Sequence, residues 1–200
     1  YQNNYKITEI GIAIPGTVNQ NKIIKSVNLG LKDYNIVDAI NKEINLPIKI
    51  RNDAKCAALA ENKYGALKKY NRILFMTLGT GIGGAVIING KLLETGEYPG
   101  CEFGHMVIKE NGLKCNCGRK GCFEKYGSMK AFKDNLRNEL GLEDKTSGKE
   151  LMAILKDTTK ESKDYAKIEK VRKQYIRDLS VGIANLVNIF EPAAIGIGGS

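Results

Sequence analysis

Arg72-Ile73-Leu74-Phe75-Met76-Thr77-Leu78-Gly79-Thr80-Gly81-Ile82-Gly83-Gly84-Ala85-Val86-Ile87-Ile88 reads as a strand, a glycine-rich connection, and a hairpin partner over Ala85-Val86-Ile87-Ile88. Both apolar runs are strand-sized. Asn89-Gly90 then extends the hairpin into Lys91-Leu92-Leu93. The glycines between the first two strands permit tight turns that can present backbone N–H groups to an anion. The connection is not a Walker loop, because no Gly-Lys-Ser/Thr follows. It is not a dinucleotide fingerprint either, because a strand rather than a helix comes next. A hairpin turn and a phosphate cradle both stay open.

Upstream, residues 7–14 are β-rich and end at Pro15-Gly16, where the backbone is left open to close approach. Ile36, Val37, Ile40 and Ile44 give residues 34–44 helical spacing. Pro47-Ile48-Lys49-Ile50 is a short strand running into Asn52-Asp53, and a helix is predicted over residues 54–64, closed by Gly65. This βαβα order predicts a largely parallel α/β sheet. Downstream, helices are predicted over residues 128–140, 148–156 and 164–190, with a last strand over residues 193–197. The Lys/Glu-rich stretch from Lys156 to Lys173 reads as a solvated helical face.

Two hundred residues suffice for one ordinary domain or two small lobes sharing a cleft. With 42% apolar and 26% charged residues the chain is of globular composition. No apolar run reaches the roughly 20 residues of a bilayer span, and the first six residues lack the apolar segment of a secretion signal. The net charge of +9 comes from lysines scattered through every segment, with no compact basic block interleaved with aromatics. It reads as a solvated, Lys-rich surface, with a polyanion or nucleotide partner as the alternative, and by itself identifies no function.

Two further groupings carry chemistry. Asn52-Asp53 stands at the end of a strand and the start of a helix. It is either a helix cap or a carboxylate at the carboxyl end of a parallel sheet, where it could accept a proton from a substrate hydroxyl. The second runs from Glu102-Phe103-Gly104-His105 through Cys115-Asn116-Cys117-Gly118 to Gly121-Cys122-Phe123-Glu124. Three of the five cysteines and the only histidine fall in it, and Gly112, Gly118 and Gly121 permit tight turns. His105, Cys115, Cys117 and Cys122 supply the tetrahedral set of a structural zinc site, with no open position for catalysis. A disulfide scaffold is the weaker reading, since the thiols crowd one loop and no export signal is visible. Glu102 and Glu124 flank the loop, as surface carboxylates or as ligand groups.

Taken together these segments resemble the ROK family (repressors, open reading frames, kinases) from about Gly11 to the C-terminus. The resemblance implies the actin-like ATPase (ribonuclease H-like) α/β fold, two lobes around a cleft with a zinc-binding loop. Residues 1–70 would then be the C-terminal part of the small lobe, and residues 71–200 the large lobe with the phosphate and zinc loops. It implies ATP-dependent phosphorylation of a hexose or N-acylhexosamine with Mg²⁺, in a cytoplasmic homodimer. The alternative is a sugar-sensing transcriptional repressor with a DNA-binding segment upstream. By the same resemblance Asp53 is the catalytic base, and Gly16, Asn52, Asp53, Glu102, His105 and Glu124 meet the sugar. His105 would serve twice, with one ring nitrogen on zinc and the other toward a sugar hydroxyl. Gly79, Thr80, Gly81 and Gly83 lie by the nucleotide phosphates, and Gly198 and Gly199 by the nucleoside. The chain departs from the family pattern at Cys101, where Gly is usual, and at Asn19, where Asp is common. It also lacks the family's opening Asp-x-Gly-Gly-Thr motif and is expected to be a piece truncated at both ends, inactive alone.

Overall fold

The computed structural model describes residues 6–26, 29–94 and 100–199. The chain forms two compact units: Tyr1–Ile73 with Ala85–Cys101, and Leu74–Gly84 with Glu102–Ser200.

The first unit begins with β1 (Ile10–Ile14), β2 (Thr17–Val18), β3 (Ile23–Ser26), β4 (Leu31–Tyr34), α1 (Ile36–Asn41), β5 (Ile48–Asn52) and α2 (Asp53–Lys63). β1 and β5 pair in parallel, from Ile10 opposite Ile48 to Ile14 opposite Asn52. The register therefore brings Pro15-Gly16 and Asn52-Asp53 out at the same end of the pair. β2, β3 and β4 form a separate antiparallel sheet. Ile14, Val18, Ile23, Val37 and Ile50 make the core of this region. The largely parallel sheet expected from the strand–helix order is thus corrected. β3 pairs antiparallel with both β2 and β4, so the chain doubles back on itself twice before any helix intervenes. The helix expected over residues 34–44 is shorter, because Tyr34 belongs to β4 and Asn35 caps α1 by accepting the N–H of Asp38 at 3.1 Å.

β6 (Arg72–Leu78), β7 (Ile82–Ile88), β8 (Lys91–Leu92) and, much later, β9 (Ala194–Gly199) form a sheet in the order β8-β7-β6-β9. The division between the units falls within β6 and β7. Ile73, Leu74 and Met76 are wholly buried, as a strand covered on both faces requires. β7 starts at Ile82, so Gly83 and Gly84 are strand residues and the connection shrinks to Gly79-Thr80-Gly81. The Phe103 ring fills the space a side chain on Gly84 would need, so that glycine serves packing rather than a turn.

The second unit continues through a 3₁₀ turn (Phe103–His105), α3 (Glu124–Gly127), α4 (Met129–Leu140), α5 (Gly148–Asp157) and α6 (Tyr165–Phe190). Ser128 caps α4 by accepting the N–H of Ala131 at 3.1 Å, and Gly141 ends it with φ +66°. Ser147 and Glu150 form a capping box at the start of α5. Leu136, Leu151, Ile168 and Val171 join these helices in one core. The buried residues of α6 (Ile168, Val171, Asp178, Gly182 and Leu186) lie along one face. An aspartate and a glycine inside such a stripe call for a packing reason. No helix among the described residues is long and apolar enough to cross a membrane.

Candidate functional site

The candidate groups fall in both units. In the first, Asn52 is the cap of α2: its Oδ1 accepts the N–H of Lys55 at 3.1 Å, and its Nδ2 donates to the carbonyl of Gly16 at 3.0 Å. Gly16 sits at φ +118°, where a Cβ would run into the Lys25 carbonyl and stand 2.9 Å from the Ser26 Cα. No other residue fits there without moving β3. Asp53 is the first helical residue and is exposed; its Oδ1 accepts its neighbour Ala54's N–H at 2.8 Å. Capping has therefore gone to Asn52. Behind it, buried Lys55 reaches Glu94 at 3.3 Å, and Arg51 reaches the other oxygen of that carboxylate at 3.7 Å. Cys56 is half-buried, and burial raises its thiol pKa.

The second unit carries the metal-type donors. Cys115, Cys117 and Cys122 lie on a short hairpin-like loop stitched by Cys115 N–H to the Arg119 carbonyl at 2.8 Å and Gly121 N–H to the Leu113 carbonyl at 2.9 Å. Phe123 N–H to the Met106 carbonyl at 2.7 Å returns the chain beside His105. The four donor atoms all lie within 4.8 Å of one another. Cys117 and Cys122 sulfurs are 3.6 Å apart, and Cys115 Sγ is 3.6 Å from His105 Nδ1. A tetrahedral ion with Zn-like bond lengths places its sulfurs about 3.8 Å apart and sulfur to nitrogen about 3.6 Å, so the short separations fit and the longest must contract by about 1 Å.

The thiols are unequal. Burial pushes Cys115 up to about 12 and raises Cys122, whereas the Arg119 backbone N–H, donating to Cys117, holds that thiol down to about 6. Cys117 is thus the thiol that loses its proton most readily, and binding an ion at the cluster would release protons from the thiols. His105 faces the sulfurs through Nδ1, which leaves Nε2 for another partner.

Glu124 opens α3 with Oε1 3.2 Å from Cys115 Sγ and 3.8 Å from His105 Nδ1. Its Oε2 stands 2.8 Å from where a Cβ on Gly81 would be. One carboxylate thus lies between the donor cluster and the Gly79-Thr80-Gly81 turn. Glu102 is exposed at the entry to the 3₁₀ turn, directly after Cys101, which holds the left-handed φ of +65°. A cysteine there adopts a conformation that favours glycine.

The Gly79 turn is tied to α4, since its carbonyl accepts the N–H of Lys130 at 3.1 Å. Beside it opens a cavity of about 550 Å³ lined by Gly79, Thr80, Lys130, Lys133, Asp134, Arg137 and Asp144. The backbone of Gly199 backs directly onto Leu78, the residue before the turn, while Gly83 lies inside β7. Lys130, Lys133 and Arg137, which the sequence does not single out, line this cavity, with Lys130 and Arg137 both paired to Asp134. Their spacing along α4 is the signal, because positions three and seven apart share a helix face.

Over residues 1–200 the sequence matches the ROK family. It is 33% identical over 195 residues to the xylose repressor of Bacillus spizizenii, covering 97% of this chain and 48% of the repressor. It is also 33% identical over 204 residues to the glucokinase of Halalkalibacterium halodurans, covering 95% of this chain and 60% of that enzyme. The fold superposes with a TM-score of 0.82, at 27% identity, on a ROK family glucokinase from Streptomyces griseus solved with glucose and AMPPNP, covering 98% of this chain and 66% of that one. The chain therefore spans about half to two thirds of the length of these proteins.

Proposed function

The chain belongs to the ROK family, and from that premise we propose that the whole protein is an ATP-dependent kinase of a hexose or N-acylhexosamine. The observation that carries this reading is Asp53, an exposed carboxylate at the start of α2 whose capping duty Asn52 has taken over. In the proposed reaction Asp53 accepts the proton of the sugar hydroxyl as that oxygen attacks the γ-phosphoryl group. Gly16, held by Asn52, shapes the backbone beside it. Glu102, His105 through Nε2, and Glu124 hydrogen-bond ring hydroxyls. The Gly79 turn, the basic face of α4 and Gly198-Gly199 receive Mg²⁺-ATP, a role supported by the cavity beside Gly79 and Thr80.

His105, Cys115, Cys117 and Cys122 would hold Zn²⁺, and the soft donor set supports that choice. With four protein donors the ion supplies fixed geometry rather than a reacting site. Its task is to orient His105 and the start of α3. Glucokinases among the relatives support the kinase reading. A xylose repressor at equal identity supports a second: sugar sensing coupled to DNA binding.

The test is a titration of the whole protein with glucose, xylose and N-acetylmannosamine, together with an assay of ATP-dependent phosphorylation of each. Sugar-dependent ADP release is the expected result. Sugar binding without turnover, with DNA binding relieved by that sugar, would select the repressor.

A further inference from the structure

The aspartate and glycine inside the buried stripe of α6 have a common explanation. Asp178 is 6% exposed, with Oδ1 2.8 Å and Oδ2 3.0 Å from Lys109 Nζ. Gln174, one turn earlier, donates to Oδ1 at 3.0 Å. Lys109 follows His105 on the way into the cysteine loop, and its ammonium lies 4.3 Å from the centroid of the Tyr126 ring. Tyr126 Oη in turn accepts the N–H of Leu113 at 2.6 Å. One turn beyond Asp178, Gly182 leaves a notch that the wholly buried Phe123 ring fills. Phe123 is the residue after Cys122. Helix α6 therefore grips the loop on both sides of its cysteines, from positions that share one helix face.

The two limbs are also joined to each other, since Ile108 and Lys109 both direct their N–H groups to the Gly121 carbonyl, at 2.9 and 3.3 Å. None of these groups is a metal donor. They fix the limbs that carry the donors, and the donor cluster must contract to hold an ion. Whatever fixes the limbs sets how easily that happens.

We propose that Asp178, with Lys109, Gln174 and the Gly182 notch, is a positioning latch by which α6 holds the cysteine loop ready for its metal ion and so governs metal retention. The inference rests on the metal reading above. A buried carboxylate deprived of its cation is strongly unfavourable, so breaking the pair does not leave the loop where it was. Lys109→Met keeps the stem near Tyr126 and removes the charge. Asp178→Asn is the milder change, and Lys109→Arg preserves the cation.

Three readouts on the whole protein separate positioning from simple stabilisation. They are the rate of zinc loss to a chromophoric chelator, the visible absorption of the Co²⁺-substituted protein, and thermal unfolding of the metal-loaded and metal-stripped forms. Lys109→Met and Asp178→Asn are expected to lose zinc about 10- to 100-fold faster, the range for residues that orient metal ligands, with altered Co²⁺ bands and a smaller metal-induced rise in Tm. Lys109→Arg should retain the wild-type spectrum. Wild-type zinc loss and Co²⁺ bands in both charge-removing variants, with equal Tm losses in loaded and stripped forms, would overturn the latch. A wild-type protein that takes up no zinc would overturn the metal reading itself, and this proposal with it.

Discussion

The cysteine loop and the start of α2 gather polar groups on opposite plans. In the loop the donors face one another, held by backbone hydrogen bonds between residues 106 and 123. At α2, Asn52 reaches back to Gly16, 36 positions away, while Asp53 stands exposed with its neighbour's N–H as the bonded group. In the first arrangement the polar groups answer one another; in the second a carboxylate is left facing solvent. A metal centre can be judged from its own donor distances. A substrate-side carboxylate acquires meaning only with a hydroxyl beside it.

Mutations can break that contrast. The largest expected effect is at a cysteine: Cys122→Ser should take metal content from near one ion per chain to near none, since binding and local order are one equilibrium. Elemental analysis checks it, and Asp53→Asn should leave the same measurement untouched. Asp53→Asn should instead lower turnover of the whole protein by about 10²- to 10⁴-fold while sugar still binds, the range for a lost general base. Unchanged turnover would reduce Asp53 to a helix-start residue.

Glu124 extends the first plan beyond the donors, because its carboxylate stands between the cluster and the Gly81 turn. Glu124→Gln should weaken hexose binding by about 10- to 100-fold, through a buried hydrogen bond to a charged group, with little change in nucleotide affinity. Equal losses for sugar and nucleotide, seen by calorimetry, would make it scaffolding. Asn52→Ala removes both the cap and the tie to Gly16, and should cost about 1–2 kcal/mol in denaturant unfolding. Smallest is Cys101→Gly, which relieves a left-handed cysteine and should raise stability by about 0.5–1 kcal/mol.

Sequence alone revealed those elements whose signal is local. β6 is a continuous apolar run, α4 to α6 have capping residues or helical spacing, and the cysteines crowd one loop. The β2-β3-β4 sheet escaped because strands of two to four residues carry too little pattern. Gly83 and Gly84 read as loop because glycine signals a turn more often than a strand, whereas both lie in β7 and Gly84 packs under the Phe103 ring. Lys109 and Asp178 lie 69 positions apart, and nothing in either segment announces the other. The division of labour between Asn52 and Asp53 was equally hidden, since both residue types cap helices well.

The strand order β8-β7-β6-β9 also sets a schedule. β7 emerges from the ribosome moments after β6, but more than a hundred residues separate Leu78 from Ala194. At roughly 5–20 residues per second, β6 waits on the order of ten seconds for its other neighbour. Throughout that interval one edge of Ile73-Leu74-Phe75-Met76 is unpaired, the kind of apolar edge that recruits stray strands. Arg72, the exposed residue that opens β6, places a charge at the start of that strand, a feature that discourages such pairing. Slow translation of residues 79–193 should therefore lower the soluble yield of this protein more than slow translation after β9.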